Sequence, residues 1–263
     1  MHLDKDYMTK NRDTSWNSVG RWYDNSVGEQ GHYYHQQVII PQVTKLLNFS
    51  DQEQASLLDL ACGQGVLSRH LPSQISYTGI DLAKQLIAAA RQHNRRAQCD
   101  FFCADVTEKL PIQKVDFSHA TIILALQNIQ FPLKVFQNAS KHLKPLSPLV
   151  IVINHPCFRI PRQSSWKIDT ENKIQYRRMD RYMSEMKIPI QMHPGQGTES
   201  QQTWSFHYPL STYTHWLQEA GFTLDRIEEW CSNKNSEGKA AKMENRAREE
   251  FPLFMALIAR KKG

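Results

Sequence analysis

The residues best suited to chemistry lie in the segment 59–65 (Asp-Leu-Ala-Cys-Gly-Gln-Gly) and at Asp81, about 20 residues further on. The two glycines permit a tight turn and allow a ligand to approach the backbone closely. If a helix follows the turn, its first N–H groups can hold a carboxylate or a phosphate. An aspartate at the tip of the next strand can accept both hydrogens of a ribose diol. The pattern predicts a nucleotide-like ligand at the carboxyl ends of two neighbouring strands.

Two details decide which nucleotide fits this pattern. A dinucleotide site requires a third glycine near Ser68, and that position is a serine. Asp59, just before the turn, disfavours a pyrophosphate and favours an ammonium group. A ligand with an amino acid at one end and a ribose at the other fits best, which points to S-adenosylmethionine.

The elements that must position these residues alternate along the chain, and apolar runs predict most of the strands. Strands are predicted within 56–62, 77–80, 100–104, 115–126, 149–153, 222–230 and 254–259. Helices are predicted over 43–47, 65–71, 82–94, 132–143 and 211–220, the last with Ser211 as N-cap and Gly221 as its C-terminal stop. This alternation is typical of an α/β fold whose parallel sheet is covered on both faces.

Four motifs of this sequence resemble those of the class I S-adenosylmethionine-dependent methyltransferases. They are 58–65 (Leu-Asp-Leu-Ala-Cys-Gly-Gln-Gly), 79–81 (Gly-Ile-Asp), 103–106 (Cys-Ala-Asp-Val) and the stretch 116–129. The resemblance covers 55–155 strongly and 222–260 loosely, and it is closest to small-molecule enzymes related to ubiquinone and menaquinone biosynthesis. It implies a Rossmann-like, seven-stranded, mostly parallel sheet with helices on both faces, an antiparallel last strand and an inserted cap.

The resemblance also implies roles for individual residues. It places Gly63 and Gly65 at the methionine end of the cofactor, Asp59 at its amino group, Asp81 at the ribose, Asp105 at the adenine amino group, Val106 beside the ring, and 124–127 under the methionyl group. The full predicted cofactor-binding set is Tyr23, Asp59, Ala61, Gly63, Gly65, Asp81, Leu82, Asp105, Val106 and Leu124. Ala61 departs from the family, which usually has glycine there.

The chain is predicted to be a single methyltransferase domain, 1–263. Within it we distinguish N-terminal lid helices in 1–50, a cofactor-binding core in 55–153, a substrate cap inserted at 154–210, and a closing helix and strands in 211–263. The cap is rich in arginine and aromatic residues. Its aromatic mass is sufficient to form a lid.

Candidate substrate-binding residues lie in the N-terminal segment, after the fourth strand and at the start of the cap. They are Tyr33, His35, Asn128, Arg159 and Arg162. The two arginines can bind a carboxylate or phosphate, and His155 is the candidate catalytic base. The alternatives stay open. The aromatic residues of the N-terminal segment can simply pack the helix on the sheet, and His155 can simply cap its strand. The two arginines can be solvated or paired with Asp169, Asp180 and Glu185. No metal site is predicted, because no Cys, Asp or Glu completes a ligand set near His32 and His35.

Composition limits the function classes. The 263 residues are 40% hydrophobic and 22% charged, as in globular proteins. The sequence shows no apolar run of about 18 residues and no secretory signal. Five cysteines without a CxxC pair indicate a reducing compartment, so a cytoplasmic location is expected.

The predicted function is methyl transfer from S-adenosylmethionine to a small molecule, which the net charge of +6 allows to be anionic. Two alternatives stay open. An RNA methyltransferase would suit the basic cap, but there is no appended RNA-binding module and the (Asp/Asn)-Pro-Pro-(Tyr/Phe) signature is missing, so a nucleic-acid partner is not favoured. A non-catalytic interaction protein on the same fold is the other alternative. The sequence leaves the oligomeric state open.

Overall fold

The computed structural model describes Gly28 and residues 31–49, 54–94, 96–191 and 202–263 of the chain. The strands are β1 (Ser56–Leu60), β2 (Ser76–Asp81), β3 (Cys99–Cys103), β4 (His119–Ile123), β5 (Pro148–Asn154), β6 (Ser164–Asp169), β7 (Ile174–Met179), β8 (Met186–Gln191), β9 (Gln202–His207), β10 (Phe222–Trp230) and β11 (Phe254–Lys261). The α-helices are α1 (Ile40–Leu47), α2 (Lys84–His93), α3 (Pro132–His142), α4 (Leu210–Glu219) and α5 (Ala241–Glu250).

The central sheet has seven strands in the order β10-β11-β5-β4-β1-β2-β3. Strands β1 to β5 pair in parallel, whereas β11 runs antiparallel to both β5 and β10. The predicted fold class and the antiparallel last strand are therefore confirmed. After β1, the chain adds β2 and β3 on one side of β1 and then crosses over to form β4 on the other side of β1. A crevice opens at such a point, beyond the carboxyl ends of β1 and β4.

Helices cover both faces of this sheet, as the near-continuous apolar strands require. On one face, α1 packs against β5 and α2 packs against β2 and β3, within a cluster that includes Val43, Ile87 and Tyr77. On the other face, α3 and α4 pack through Phe136 and Leu217. A π-helical turn, His35–Ile39, leads directly into α1. Pro41 near the start of α1 lacks the N–H that a continuous α-helix would need there, which accounts for the widened turn.

Two predicted helix features are wrong. The segment 65–71 forms only one 3₁₀ turn, Leu67–His70, because Gly65 is left-handed and Leu71 is extended before Pro72. Ser211 is not the N-cap of α4, since that position belongs to Pro209. Gly221 does end this helix, with a φ of 86° and its N–H bonded to the carbonyl of Gln218.

The segment predicted as a cap contains two antiparallel hairpins. Strands β6 and β7 form one, and β8 and β9 form the other. Only the β8–β9 hairpin reaches the crevice, through Ile190, Thr203 and Ser205. Helix α5 lies against β7.

Candidate active site

A cavity of about 510 Å³ lies at the carboxyl edge of the sheet, where the topology places the crevice. Its walls come from the loops after β1 to β5, the start of β11, the turn before α1 and the β8–β9 hairpin. This volume lies within the range of small-molecule sites in proteins.

The turn after β1 adopts the backbone conformation that its glycines predict. Gly63 and Gly65 have φ angles of 57° and 68°, and Ala61 has 58°. A Cβ at Gly63 would meet no atom within 4 Å, so its open side faces the cavity. A Cβ at Gly65 would lie 2.7 Å from the ring of Phe101. Gly65 therefore serves packing and chain direction, and it is not among the residues that line the cavity, contrary to its predicted contact with the cofactor.

Asp81, the last residue of β2, is anchored by the turn it faces. Its Oδ2 accepts the N–H of Gly63 at 2.9 Å and its Oδ1 accepts the N–H of Ala83 at 2.8 Å. Burial raises the pKa of Asp81, and these two hydrogen bonds oppose the rise. Two lone pairs of the carboxylate remain for donors in the cavity, such as the hydroxyls of a ribose.

Asp59 on β1 is a fully buried carboxyl group, 3% exposed, at the floor of the cavity. Its oxygens accept the hydroxyls of Tyr77 at 2.6 Å and Thr121 at 2.8 Å. Desolvation raises the pKa of Asp59 to about 6, even though both hydroxyls lower it. A bound cation would favour the ionised form. Its predicted contact with an ammonium group stays a prediction.

Asp105 follows β3 and also lines the cavity, together with Val106. Its Oδ1 accepts the backbone N–H of Thr107 at 2.8 Å and the Thr107 hydroxyl at 2.7 Å. Because both bonds use one oxygen, the other is left to accept a donor from a ligand. An exocyclic amino group such as that of adenine is a suitable donor.

A strained loop after β4 forms the centre of the cavity. Leu124 has a φ of 52°, and its carbonyl accepts Nε2 of Gln127 at 2.6 Å. Oε1 of Gln127 is buried and has no hydrogen-bond partner among the described residues. An ammonium group would satisfy this acceptor. The residues present thus fit an adenosyl amino acid. Asp81 offers acceptors for the hydroxyls of a ribose, whereas Asp59 and Gln127 offer acceptors for an ammonium group.

His155 lies outside the cavity, which contradicts its predicted role as a base. Its Nδ1 accepts the N–H of Cys157 at 3.2 Å, so Nε2 carries the proton and donates to Glu229 at 2.6 Å. The ring is 2% exposed and packs against Phe158. Both nitrogens are used in holding the chain after β5, and neither can take a proton from an acceptor in the cavity.

Two predicted substrate residues also lie elsewhere. Tyr33 is 41% exposed and lies under Lys234, whereas its neighbour Tyr34 faces the cavity. Arg162 is exposed and does not line the cavity; it lies in a turn with a φ of 61°. Tyr23 lies outside the described residues. His35, Asn128 and Arg159 do line the cavity, as do Ala61 and Leu82.

Sequence reasoning missed several residues of the far wall of the cavity. Asn154 ends β5 directly opposite Phe254 of β11, and both line the cavity. Thr203 and Ser205 reach it from β9, two positions apart and so on one face of that strand. The spacing of Thr203 and Ser205 is the only sequence signal for this part of the wall. It indicates that both residues share a face of β9, but not which part of the molecule that face contacts.

Comparisons with known proteins agree with this architecture. Residues 57–146 match the family model described as a methyltransferase domain. The chain is 30% identical over 117 residues to a demethylmenaquinone methyltransferase of Chlamydia pneumoniae, covering 43% of this chain and 50% of that protein. It is 25% identical over 127 residues to a ubiquinone biosynthesis O-methyltransferase of Hydrogenovibrio crunogenus, covering 47% and 52%. The chain therefore spans about half the length of the curated relatives it matches.

A solved structure extends the likeness in fold over most of the chain. The S-adenosylmethionine-dependent methyltransferase of Mesorhizobium loti superposes with a TM-score of 0.67 and 22% identity, covering 89% of this chain and 100% of that one. Residues 57–146 thus resemble a methyltransferase domain, and the sheet as a whole has the fold of that solved methyltransferase. Among the described residues, no helix is long and apolar enough to cross a membrane.

Proposed function

We propose that this chain transfers a methyl group from S-adenosylmethionine to a small-molecule acceptor. The observation that carries the proposal is the convergence of Asp59, Asp81 and Asp105, each at or just after the end of one of three adjacent strands, on a single cavity. This acidic wall suits a ligand that carries an ammonium, a sulfonium and a ribose.

The cofactor supplies an electrophilic methyl group on sulfur, which an oxygen, nitrogen or carbon nucleophile takes while S-adenosylhomocysteine leaves. In this proposal Asp81 binds the ribose hydroxyls and Asp105 binds the adenine amino group. The loop from Leu124 to Gln127 lies between these residues and the far wall of the cavity. The contribution of the protein is alignment of the two reactants and exclusion of water.

A small molecule is supported as the acceptor by the size of the cavity and by the relatives named for quinone biosynthesis. His35, on the acceptor side, is a neutral imidazole at physiological pH because burial lowers its pKa to about 3. It can orient an acceptor by hydrogen bonding without adding charge.

Calorimetric titration with S-adenosylhomocysteine and, separately, with NADH tests the cofactor assignment. Both ligands carry adenosine, so the comparison reports on the group attached to its ribose, an amino acid in one ligand and a pyrophosphate in the other. We expect S-adenosylhomocysteine to bind and NADH to fail, because Asp59 lies where a pyrophosphate would approach. Binding of NADH alone, or of neither ligand at millimolar concentration, would refute the proposed function.

A further inference from the structure

The far wall of the cavity holds a guanidinium without an acidic partner. Arg159 is half-buried and lines the cavity. Its Nη1 donates to Oδ1 of Asn154 at 2.8 Å and to the carbonyl of Leu253 at 3.5 Å, and its guanidinium lies 5.5 Å from the centre of the Phe254 ring. No carboxylate within the described residues forms an ion pair with it, and Nε and Nη2 have no protein acceptor there.

This arrangement is electrostatically unfavourable in the empty protein. A charge withdrawn from water is costly unless it is paired. Burial lowers the pKa of Arg159, and the nearby guanidinium of Arg177 lowers it further. Neutral hydrogen bonds to an amide and a carbonyl leave the positive charge uncompensated. The missing component is an anion.

The charge distribution in the cavity says where such an anion would lie. Among the described residues that line the cavity, Arg159 is the only lysine or arginine. The three aspartates are on β1, on β2 and after β3, whereas Asn154 and Phe254 place Arg159 beside β5 and β11. An anion is therefore attracted to one wall and repelled by the other, which orients a molecule that carries it.

We propose that the acceptor is an organic acid and that its carboxylate binds Arg159. This inference rests on the proposed function. The unused Nε and Nη2 form one edge of the guanidinium, which matches the two oxygens of a carboxylate. A phosphate dianion would bring a second negative charge for which this wall has no second cation.

Binding of benzoate and benzamide to the protein saturated with S-adenosylhomocysteine tests the inference, measured by NMR titration. The two probes have the same shape and differ in charge. Bound S-adenosylhomocysteine prevents both probes from binding at the acidic wall of the cavity. We expect benzoate to bind at least about tenfold more tightly than benzamide, as for one charged hydrogen-bonded pair. Arg159→Gln should remove the preference, and Arg159→Lys should retain part of it.

Arg177→Gln is the matched control. Its guanidinium also lacks a carboxylate partner among the described residues, but it donates to the carbonyl of Phe158 and the hydroxyl of Ser164 and does not line the cavity. This variant should keep the preference for benzoate. Equal affinities for the two probes, no binding of benzoate, or a preference that survives Arg159→Gln would overturn the inference, and tighter binding of phenyl phosphate than of benzoate would replace the carboxylate with a phosphate.

The same experiment separates failure of this inference from failure of the proposed function. Saturation with S-adenosylhomocysteine is established first. If the cofactor product binds and benzoate shows no preference for Arg159, the acceptor assignment alone fails. If the cofactor product does not bind, the proposed function fails.

Discussion

The two walls of the cavity differ in how the chain builds them. The acidic wall comes from consecutive strand–loop units, β1 to β3, within the segment 56–106. The opposite wall combines the turn before α1, the residues after β5, the β8–β9 hairpin and the start of β11. The acidic wall is thus local in sequence, whereas the other is assembled from distant parts of the chain.

The two walls also differ in how their charges are supported. Asp81 and Asp105 accept two hydrogen bonds each from their own loops, and Asp59 accepts two from neighbouring strands. Arg159 has no carboxylate in reach among the described residues. A carboxylate held by several donors is ready for a donor from a ligand, whereas an uncompensated guanidinium requires an anion. Under the proposed function, this difference separates the part of the cavity that binds the cofactor from the part that binds the acceptor.

The largest expected effect concerns the turn that supports the acidic wall. Gly65→Ala would combine a left-handed φ of 68° with a Cβ 2.7 Å from Phe101. We expect the free energy of unfolding to fall by about 2–5 kcal/mol from backbone strain and overpacking together. Urea unfolding measures it. Gly63→Ala is the control, because its Cβ meets no atom and only the strain of about 1–2 kcal/mol remains. Equal losses in the two variants would contradict the packing role of Gly65.

The second prediction concerns the buried charge of Asp59. Its pKa of about 6 in the folded state exceeds the ordinary value of 3.8, so the folded state binds the proton more tightly. The stability that this proton contributes is fully present below about pH 4 and is lost as pH rises through about 6, by about 3 kcal/mol in all.

The side chain introduced by Asp59→Asn cannot ionise. As the pH rises from about 4 to about 7, the free energy of unfolding of this variant should therefore increase relative to that of the parent by about 3 kcal/mol. Urea unfolding at a series of pH values measures the difference. A difference that stays constant with pH would show that Asp59 titrates normally and that the acidic wall is well hydrated.

The third prediction tests whether the acidic wall binds the cofactor. Asp81→Ala should weaken binding of S-adenosylmethionine by about 1–3 kcal/mol, the scale of a polar contact left unpaired. Calorimetric titration measures the affinity. Asp116→Ala removes an exposed carboxylate that pairs with Lys114, at the amino end of β4, and should leave the affinity unchanged. Equal affinities for the Asp81 variant and the parent would exclude Asp81 from the site.

The fourth prediction concerns the alanine that replaces the usual glycine. Ala61 is left-handed, so Ala61→Gly relieves about 1–2 kcal/mol of strain and loses part of this to the greater entropy of the unfolded chain. We expect a net gain in thermal stability of about 1 kcal/mol or less. Ala125→Gly, in the same cavity at a negative φ, should destabilise the protein instead. A loss of stability in Ala61→Gly would refute the strain.

No effect on ligand binding is expected at His155. Because its ring faces Glu229 and Cys157 and lies outside the cavity lining, His155→Gln should leave the affinity for S-adenosylhomocysteine and the preference for benzoate unchanged. The free energy of unfolding should fall by about 1 kcal/mol from the lost hydrogen bonds. If a folded His155→Gln variant lost either binding activity, this result would show that His155 belongs to the site.

Secondary structure was predictable where one physical signal dominates. The apolar runs at β1 and β5 favour buried strands, and the glycine after α4 tolerates the left-handed conformation that ends a helix; the structure confirms all three. Ser211 misled because the N–H of Leu210 finds its acceptor in the hydroxyl of Tyr182, 28 residues away. An N-cap prediction considers only the residues next to the start of the helix, so it cannot anticipate a hydrogen-bond partner that is distant in sequence.

The sequence by itself determined the α/β class and the carboxylates at the strand ends, because a parallel sheet brings those ends to one edge whatever the remaining chain does. Only the tertiary structure decided which polar groups share the cavity. In the tertiary structure His155 lies outside the cavity lining, Tyr34 lines the cavity, and Arg159 lies beside Asn154 and Phe254. Side-chain direction at a loop depends on the neighbours that packing supplies. Some of these neighbours, such as Phe254 for Arg159 and Glu229 for His155, come from distant segments, beyond the reach of local propensity and periodicity.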